Sequence, residues 1–317
     1  MADRLRVMFM GSPDFAVPCL AALLGDPSID VRLVVTQPDK PAGRGRSLTP
    51  PPIKEVALAA GVVVAQPPSL RSPPFVATLR ALELDLGVVV AYGKILPADL
   101  LALPRLGCWN VHGSILPGFR GAAPIQRALM AGEPEAGVTL MQMDAGMDTG
   151  PILLCATLPV GIDDTAGTLH DQLAPLGAGL LTDGLRRFRQ GSLAATKQDD
   201  ARATMSPKIE KEEGRIDWTK PAEQVGRHIR AVDPWPGACT LLDGEPLKLW
   251  RPRVVSGGGP PGVVLDADRD GLIVACGEGA IAIAELQLPG RRRMPAHALL
   301  AGRPIPCGTQ LGDRPIS

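Results

Sequence analysis

Residues 107–126 read GCWNVHGSILPGFRGAAPIQ and carry the most informative pattern of the sequence. It begins with an apolar segment at 108–111, which predicts a buried strand, and it continues into a loop rich in Gly and Pro. Asn110 and His112 are two residues apart at the end of that strand, so their side chains should project from the same face. Open α/β sheets bind ligands at the carboxyl ends of their parallel strands. The stretch therefore predicts a polar site at one edge of such a sheet.

The rest of the amino-terminal half alternates short apolar runs with longer helical patterns, which is typical of strand-helix-strand units. The predicted strands are 6–10, 31–36, 62–65, 86–91 and 108–111, followed by an antiparallel pair at 138–143 and 152–158. This order predicts an α/β fold with a doubly wound, Rossmann-like, mostly parallel sheet.

Two predicted helices of this half have sequence signals for their N-termini. Gly11, Ser12 and Pro13 predict a turn, a helix cap and a first helical residue, ahead of an apolar helix that continues over 15–24. A long helix is predicted over 165–188, capped by Asp164 or Thr165. We expect this helix to close the first domain.

The carboxyl-terminal third has a different pattern. A polar, weakly patterned segment at 190–212 predicts a linker between a domain at 1–189 and a second domain at 213–317. In the second domain, a helix is predicted over 221–232 and short strands over 247–250, 262–265, 272–275 and 280–286. Short strands at this spacing favour a small β-barrel, for which an oligonucleotide-binding (OB) type is one option.

Composition limits the function classes. Lys and Arg number 33 and so do Asp and Glu, which excludes a wholly basic nucleic-acid binder but not a local basic patch. No apolar run approaches the roughly 18 residues that span a bilayer, and no secretory signal pattern is visible. The six cysteines lack zinc or redox spacing. We expect a cytoplasmic protein without a metal, and a monomer by default.

The polar residues in and near residues 107–126 are suited to acyl transfer. Asp148 lies in a turn after the strand at 138–143 and could reach the same crevice as Asn110 and His112. An amide can donate to the oxygen that becomes anionic in a tetrahedral intermediate, and a His with an Asp can move the proton off an attacking amine. Taken alone, such a His is more often structural and such an Asp more often forms a turn. Periodicity also does not choose between Asp148 and Asp144.

Several blocks together resemble the folate-dependent formyltransferases, and they run in register over nearly the whole chain. These blocks are Gly11-Ser-Pro-Asp-Phe15, residues 36–45 (TQPDKPAGRG), Val89-Val-Ala-Tyr-Gly93, residues 110–117 (NVHGSILP), residues 120–124 (RGAAP), residues 147–150 (MDTG) and Asp233-Pro-Trp-Pro236. The resemblance implies the formyltransferase fold and an OB-like second domain that binds tRNA. It also makes Asp148, rather than Asp144, the functional carboxylate.

The same resemblance implies a reaction and a set of binding residues. The donor is 10-formyltetrahydrofolate, and the acceptor is the α-amine of methionine on initiator tRNA. Asn110 holds the oxyanion, while His112 and Asp148 relay the proton. The folate is expected beside Val89, Val90, Ala91 and Tyr92 and beside Ser114, Ile115, Leu116 and Pro117. Two alternatives remain: the same chemistry on a small acceptor or water, and a tRNA-binding protein with an inactive site.

Two basic segments are candidates for tRNA contacts. Residues 37–54 carry Lys40, Arg44, Arg46 and Lys54 against the single acid Asp39, and their Gly and Pro content predicts neither helix nor strand across 38–52. Arg291, Arg292 and Arg293 follow a Pro-Gly turn in the second domain. Without the resemblance, both segments are more simply interpreted as solvated surface. With it, Lys40, Arg44, Arg46 and the three consecutive arginines are expected to hold tRNA. No motif for NAD or ATP occurs.

Overall fold

The computed structural model describes residues 4–42, 47–268 and 271–312. The chain divides into two compact units. The first unit contains Met1–Pro124, Glu135–Pro159 and His170–Pro207, and the second contains Ile125–Pro134, Val160–Leu169 and Lys208–Ser317.

Up to residue 207, single helices are interspersed with one to three strands along the chain. The strands are β1 (Leu5–Gly11), β2 (Ile29–Val35), β3 (Lys40–Ala42), β4 (Ser47–Thr49), β5 (Val64–Ala65), β6 (Leu86–Val90), β7 (Cys108–His112), β8 (Arg120–Gly121), β9 (Glu135–Gln142), β10 (Ile152–Pro159) and β11 (Met205–Ser206). The helices are α1 (Val17–Gly25), α2 (Pro52–Ala59), α3 (Pro73–Ala81), α4 (Ala98–Leu101), α5 (Pro124–Ala131) and α6 (Ala166–Arg189).

A seven-stranded sheet in the order β10-β9-β7-β6-β1-β2-β5 forms the centre of the first unit. Strands β5, β2, β1, β6 and β7 are parallel, whereas β9 and β10 are antiparallel to their neighbours. The chain moves outward from β1 to β2 and β5 and then returns to β6 on the other side of β1. This is the doubly wound arrangement predicted from the sequence, and the prediction is confirmed.

Successive side chains of each strand point to opposite faces of the sheet, and helices cover both faces. Met8 and Met10 of β1 pack on one face with Phe75 and Leu79 of α3. The opposite face carries α6, because Gly177 of that helix lies against Val111 of β7 and Cys19 of α1. A Cβ at Gly177 would lie 2.9 Å from Val111, so the helix can approach this closely only without a side chain there.

The basic segment at 37–54 is not devoid of regular structure, and that prediction is wrong. Strands β3 and β4 form a two-stranded antiparallel hairpin in which Pro41 pairs with Leu48. Proline is tolerated at sheet edges, and each strand of a two-stranded hairpin is an edge strand. Helix α2 then begins at Pro52, where the missing N–H has no intrahelical partner to lose. Arg44 and Arg46 lie outside the described residues.

The two predicted helix starts have different outcomes. Thr165 does cap α6, since its Oγ1 accepts a hydrogen bond from the N–H of Thr168. Ser12 and Pro13 do not begin α1, which starts at Val17 after a short 3-10 turn. Instead, the Oγ of Ser12 accepts from the backbone N–H of Gln37 at 3.1 Å. Ser12 thus connects the ends of β1 and β2, so its oxygen is not available to a helix.

The second unit has one antiparallel sheet. Its elements after residue 207 are α7 (Ala222–Ala231), β12 (Cys239–Leu242), β13 (Glu245–Val255), β14 (Val264–Asp268), β15 (Gly271–Ala275), β16 (Ala280–Gln287), β17 (Met294–Pro295) and α8 (Ala296–Gly302). The sheet runs β12-β13-β16-β15-β14, with β17 also on β16. The backbone N–H groups of Gly308 and Gly312 donate to Val264 and Leu241, so the tail bridges the two outer strands. A barrel-like second domain was predicted, and this half-barrel confirms that fold class.

Across the described parts of the chain, none of the helices is both long and apolar enough to cross a bilayer. The six cysteines are free thiols. Burial raises the pKa of the Cys19 and Cys108 thiols to about 12.

Candidate active site

Asn110 and His112 lie near and at the carboxyl end of β7, between β6 and β9. In the sheet register, Asn110 is opposite Val89 of β6 and Met141 of β9. Both polar side chains are buried, with relative exposures of 8% and 6%. Buried polar groups need hydrogen-bond partners, so the neighbours of these two residues define the site.

Asp148 is the carboxylate that lies close to both Asn110 and His112. Its Oδ1 lies 3.4 Å from the amide nitrogen of Asn110, and its Oδ2 lies 3.7 Å from Nδ1 of His112. Oδ2 also accepts the backbone N–H of Gly121 at 2.9 Å. Asp148 has a φ of +54°, in the left-handed region that non-glycine residues rarely occupy. Such strain persists only where surrounding contacts hold the backbone.

The imidazole of His112 is fixed on its other side. Nε2 lies 3.0 Å from the carbonyl oxygen of Phe119. A carbonyl oxygen can only accept a hydrogen bond, so this contact requires a proton on Nε2. Nδ1 is then the nitrogen that can gain or lose a proton, and it faces Asp148. The Phe119 carbonyl also accepts from the hydroxyl of buried Ser206 at 2.9 Å.

Asp144, the other carboxylate that the sequence left open, is engaged elsewhere. Its Oδ1 accepts the backbone N–H of Gly146 at 3.0 Å and the hydroxyl of Thr149 at 2.7 Å, in an exposed turn. Asp144 therefore stabilises the turn, whereas Asp148 faces the polar pair on β7.

Sequence reasoning missed the residue that holds the Asp148 turn. Gln198 lies in the segment interpreted as a linker, yet it is only 5% exposed. Its Nε2 donates to the carbonyl oxygens of Asp148 at 2.8 Å and Gly150 at 2.7 Å. Its Oε1 accepts from the buried guanidinium of Arg120 at 2.8 Å, and Arg120 also pairs with Asp200. A lone Gln in a polar segment carries no sequence signal for such a role.

The residues expected to contact folate differ in exposure along β6 and beyond it. Val89 and Val90 are buried, and Ala91 is exposed with a φ of +46°. Tyr92 is 2% exposed, and its hydroxyl has no hydrogen-bond partner among the described residues. Burial raises the pKa of this phenol. This hydroxyl therefore lacks the hydrogen bond that buried polar groups usually make.

The other predicted folate segment is a tightly bonded turn. The hydroxyl of Ser114 donates to the carbonyl of Gly118 at 2.7 Å, and Thr139 Oγ1 bridges the Ser114 carbonyl and the Leu116 N–H. Ser114 and Leu116 are buried, while Ile115 and Pro117 are half-buried. Rigid backbone therefore borders the site on this side.

The described basic residues fall into two groups. Lys40 is exposed, and its Nζ donates to Gln37, whose own amide donates to the carbonyl of Tyr92. The base of the basic hairpin is thus bonded to the end of β6. In the second unit, Arg291 and Arg292 are exposed, and Arg293 forms ion pairs with Asp233 and Glu285. Within the described ranges no group of three or more His, Cys, Asp or Glu residues could hold a metal ion.

The chain belongs to the formyl transferase family. Residues 4–185 match the family described as formyl transferase, and residues 208–304 match its C-terminal domain. The family resemblance predicted from the sequence is therefore confirmed.

The chain is similar over nearly its full length to proteins named methionyl-tRNA formyltransferase. It is 51% identical over 307 residues to the protein from Aromatoleum aromaticum, covering 97% of each chain. It is 49% identical over 315 residues to that from Pseudomonas syringae pv. tomato, covering 99% of this chain and 100% of the relative.

Solved structures share the fold at lower identity. WlaRD, a sugar 3N-formyl transferase, aligns with a TM-score of 0.67 and 17% identity over 92% of this chain and all of its own. HypX from Aquifex aeolicus in complex with tetrahydrofolic acid aligns with a TM-score of 0.63 and 18% identity over 98% of this chain and 51% of its own. At such identities the likeness supports the fold alone.

Proposed function

We propose that this protein transfers the formyl group of 10-formyltetrahydrofolate to the α-amino group of methionyl initiator tRNA, giving N-formylmethionyl-tRNA for translation initiation. The observation that carries this function is the 51% identity over 97% of the chain with a methionyl-tRNA formyltransferase, which spans both family regions. The Asn110, His112 and Asp148 cluster supplies the chemistry that such a transfer needs.

Asn110 is proposed to stabilise the developing negative charge. When the amine attacks the formyl carbon, the formyl oxygen becomes anionic, and the Asn110 amide can donate a hydrogen bond to it. Asp148 lies 3.4 Å from the same nitrogen and fixes its orientation. A preorganised donor of this kind is worth about a hundred- to thousandfold in rate.

His112 and Asp148 are proposed to remove the proton from the attacking amine. An α-amine has a pKa of about 8, so an appreciable fraction is already uncharged near neutral pH and can attack directly. The nitrogen of the new N–C bond then has to lose its proton. Nδ1 of His112 can accept it because Nε2 is occupied by Phe119, and the Asp148 carboxylate stabilises the resulting imidazolium across 3.7 Å. Collapse of the tetrahedral intermediate breaks the bond between the formyl carbon and the folate nitrogen, and this nitrogen takes up a proton as tetrahydrofolate leaves.

The folate is proposed to bind beside Val89 to Tyr92 and Ser114 to Pro117. The exposed Ala91, with its left-handed backbone, supports this role, because a small side chain there allows a close approach of a planar, polar ring to the backbone. The bound folate would supply the formyl group, while this chain orients it and excludes water.

The two domains predicted from the sequence are proposed to have different roles. Residues 1–189 carry the reacting groups and 213–317 bind tRNA. Residues 190–212 form the linker, and the first part of this linker also supports the site through Gln198 and Ser206. Lys40, Arg44 and Arg46 hold the acceptor end, and Arg291 to Arg293 contribute contacts from the second domain. We also propose that the protein acts as a cytoplasmic monomer.

One assay separates the alternatives. The purified protein is mixed with 10-formyltetrahydrofolate and, in parallel, with methionyl initiator tRNA, an amino-sugar nucleotide, glycinamide ribonucleotide or no acceptor. We expect formylmethionine and released tetrahydrofolate only with the charged tRNA. Faster turnover of a small acceptor would assign a different formyl transferase activity, and tRNA binding without any turnover would indicate an inactive site.

A further inference from the structure

We propose that Trp235 is a stacking platform for an unpaired base of the tRNA, which gives the second unit an aromatic contact in addition to its basic ones. This inference rests on the proposed function and specifies how the second unit recognises RNA. It starts from the Asp233-Pro-Trp-Pro236 motif, to which neither the formyl-transfer chemistry nor the basic clusters assign a role.

Trp235 differs from the other tryptophans of the chain. Trp109, Trp218 and Trp250 are buried, with exposures of 3%, 5% and 7%, whereas Trp235 is 54% exposed. Aromatic residues make up only 3% of the sequence, and seven of the ten are buried. Leaving a large indole in water forgoes the stabilisation that its burial would give.

The turn that carries Trp235 is fixed at both ends. Before it, the Asp233 carboxylate pairs with Arg293 at 3.9 Å and is hydrogen-bonded by Trp250, while its carbonyl accepts from Gly167 at 3.0 Å. After it, the carbonyl of Pro236 accepts from Nζ of Lys248 at 3.1 Å. Prolines on both sides of the indole restrict the backbone further. The exposed ring is therefore presented on a rigid turn, which lowers the entropic cost of binding.

Several positively charged side chains lie around this turn. Arg293 connects the turn to exposed Arg291 and Arg292, and Lys248 lies on its other side. Three nearby acids are already paired, since Arg293 binds both Asp233 and Glu285, Arg251 binds Glu285 at 3.0 Å, and Glu213 binds Arg127 at 2.7 Å. Lys248, Arg291 and Arg292 thus provide cations near the turn, alongside the exposed acid Glu212, which lies two residues before the Gly214 that packs on Pro236.

An exposed aromatic ring among cations is the arrangement that single-stranded RNA favours. The cations attract the phosphates, and any base can stack on the ring because every base has a π-face. A paired base within a helix is not accessible for this contact. The occupant is therefore an unpaired nucleotide of the tRNA.

Tryptophan fluorescence tests the contact directly in the full-length protein. Stacking should quench the emission of the exposed Trp235 on titration with methionyl initiator tRNA, and the Trp235→Phe variant should lose most of that quench. A blunt RNA duplex without unpaired bases should quench little. No quench of the unsubstituted protein at saturating tRNA, or an equal quench in Trp235→Phe, would overturn the proposal.

Binding measurements with three variants distinguish stacking from a general apolar contact. Trp235→Ala and Trp235→Leu should weaken tRNA binding about five- to hundredfold, whereas Trp235→Phe should retain most of the affinity. Val63→Ala removes an exposed apolar side chain from the first unit and serves as the control. If Leu and Phe bind equally well, the ring contributes only apolar surface and the proposal fails.

The outcomes also separate this inference from the proposed function. Unchanged tRNA affinity in Trp235→Ala, together with normal formylation by the unsubstituted protein, contradicts only the stacking contact. If the unsubstituted protein does not formylate methionyl-tRNA at all, the proposed function fails first. Thermal unfolding of each variant verifies that a weaker affinity does not come from unfolding.

Discussion

The side-chain amide of Gln198 donates a hydrogen bond to the carbonyl oxygen of Asp148, fifty residues earlier in the chain, at 2.8 Å. A second bond from the same nitrogen reaches the carbonyl of Gly150 at 2.7 Å. Both carbonyls flank the turn in which Asp148 has a φ of +54°. Gln198 therefore holds the backbone that aims the carboxylate at Asn110 and His112.

Removal of the Gln198 donor should reduce turnover more than substrate binding. Gln198→Ala and Gln198→Glu both remove the two donated bonds, and a carboxylate displaced by about 1 Å can cost roughly a hundredfold in rate. We expect kcat to fall about ten- to hundredfold, with a much smaller change in the KM for tRNA. Asp200→Asn is the control, because this carboxylate is 71% exposed where it pairs with Arg120. A KM effect without a kcat effect in the Gln198 variants would contradict the positioning role.

Substitution of the polar pair on β7 should slow formyl transfer without unfolding the protein. Asn110→Ala is expected to cost about a hundred- to thousandfold, because the oxyanion donor is gone. His112→Ala is expected to cost about a hundred- to ten-thousandfold, because the proton acceptor is gone. Single-turnover rates at saturating folate measure both effects. Near-normal rates in folded variants would rule out the assignment.

The two carboxylates of the 144–150 turn provide a matched comparison. Asp148→Asn leaves the shape of the side chain but removes the charge opposite Nδ1 of His112, so we expect a large fall in rate. Asp144→Asn changes a residue whose hydrogen bonds to the described residues lie within the exposed turn, so the rate should stay within about threefold. Equal reductions in both variants would indicate that the turn as a whole, rather than the Asp148 charge, supports turnover.

We expect substitutions of the three consecutive arginines to have different effects on tRNA binding and on stability. Arg291→Gln and Arg292→Gln should each weaken tRNA binding and lower the slope of log affinity against log salt by up to about 0.9 for each phosphate that is no longer neutralised. Arg293 pairs with Glu285 and Asp233 and lies 4.8 Å over the ring of Trp250. Arg293→Gln should therefore also lower the Tm by a few degrees, since a cation-π contact at an exposed site is worth about 0.5–1 kcal/mol. An unchanged salt slope in the Arg291 and Arg292 variants would exclude phosphate binding there.

Asp85 should contribute to stability in a pH-dependent way. Hydrogen bonds from the side chain and backbone N–H of Arg6, with a further contribution from Arg105, hold the pKa of this carboxyl below its usual range. A carboxyl with a lowered pKa in the folded state stabilises the fold above its unfolded pKa of about 4, and that stabilisation is lost as the pH falls further. Asp85→Asn should therefore reduce the free energy of unfolding at pH 7, and the difference from the unsubstituted protein should shrink below about pH 4.

The neighbouring Glu83 supplies the control for Asp85. Its carboxylate also pairs with Arg6, but its side chain is 76% exposed. Ion pairs in water contribute little because solvent screens them. Glu83→Gln should thus leave the unfolding curve nearly unchanged at both pH values, and a destabilisation as large as that of Asp85→Asn would show that burial is not what distinguishes the two acids.

Local patterns predicted the strands and the relationship between Asn110 and His112, because both follow from the two-residue period of a strand. The pattern of Pro and Gly in residues 38–52 was misleading, since a hairpin made only of edge strands tolerates Pro41. The start of α1 was also placed too early, because the sequence does not show that Ser12 bonds to Gln37 instead.

The supporting hydrogen bonds of the candidate site were not predictable from the sequence. Gln198 and Ser206 lie in a polar segment without periodicity, and their partners are tens of residues away. Long-range hydrogen bonds of this kind leave no local signal. The roles of Asn110, His112 and Asp148 remain predictions that kinetics has to test, although the structure brings the three side chains together.

Pairing of β11 with β8 determines how short a functional fragment of this protein can be. Met205 and Ser206 pair in parallel with Arg120 and Gly121 of β8. The hydroxyl of Ser206 also donates to the carbonyl oxygen of Phe119, which is the hydrogen-bond partner of His112. A proteolytic fragment that ends soon after α6 would keep every residue proposed to react with substrate, yet it would lack the chain that holds two of them in place. A minimal formyl-transfer fragment therefore has to extend beyond Ser206.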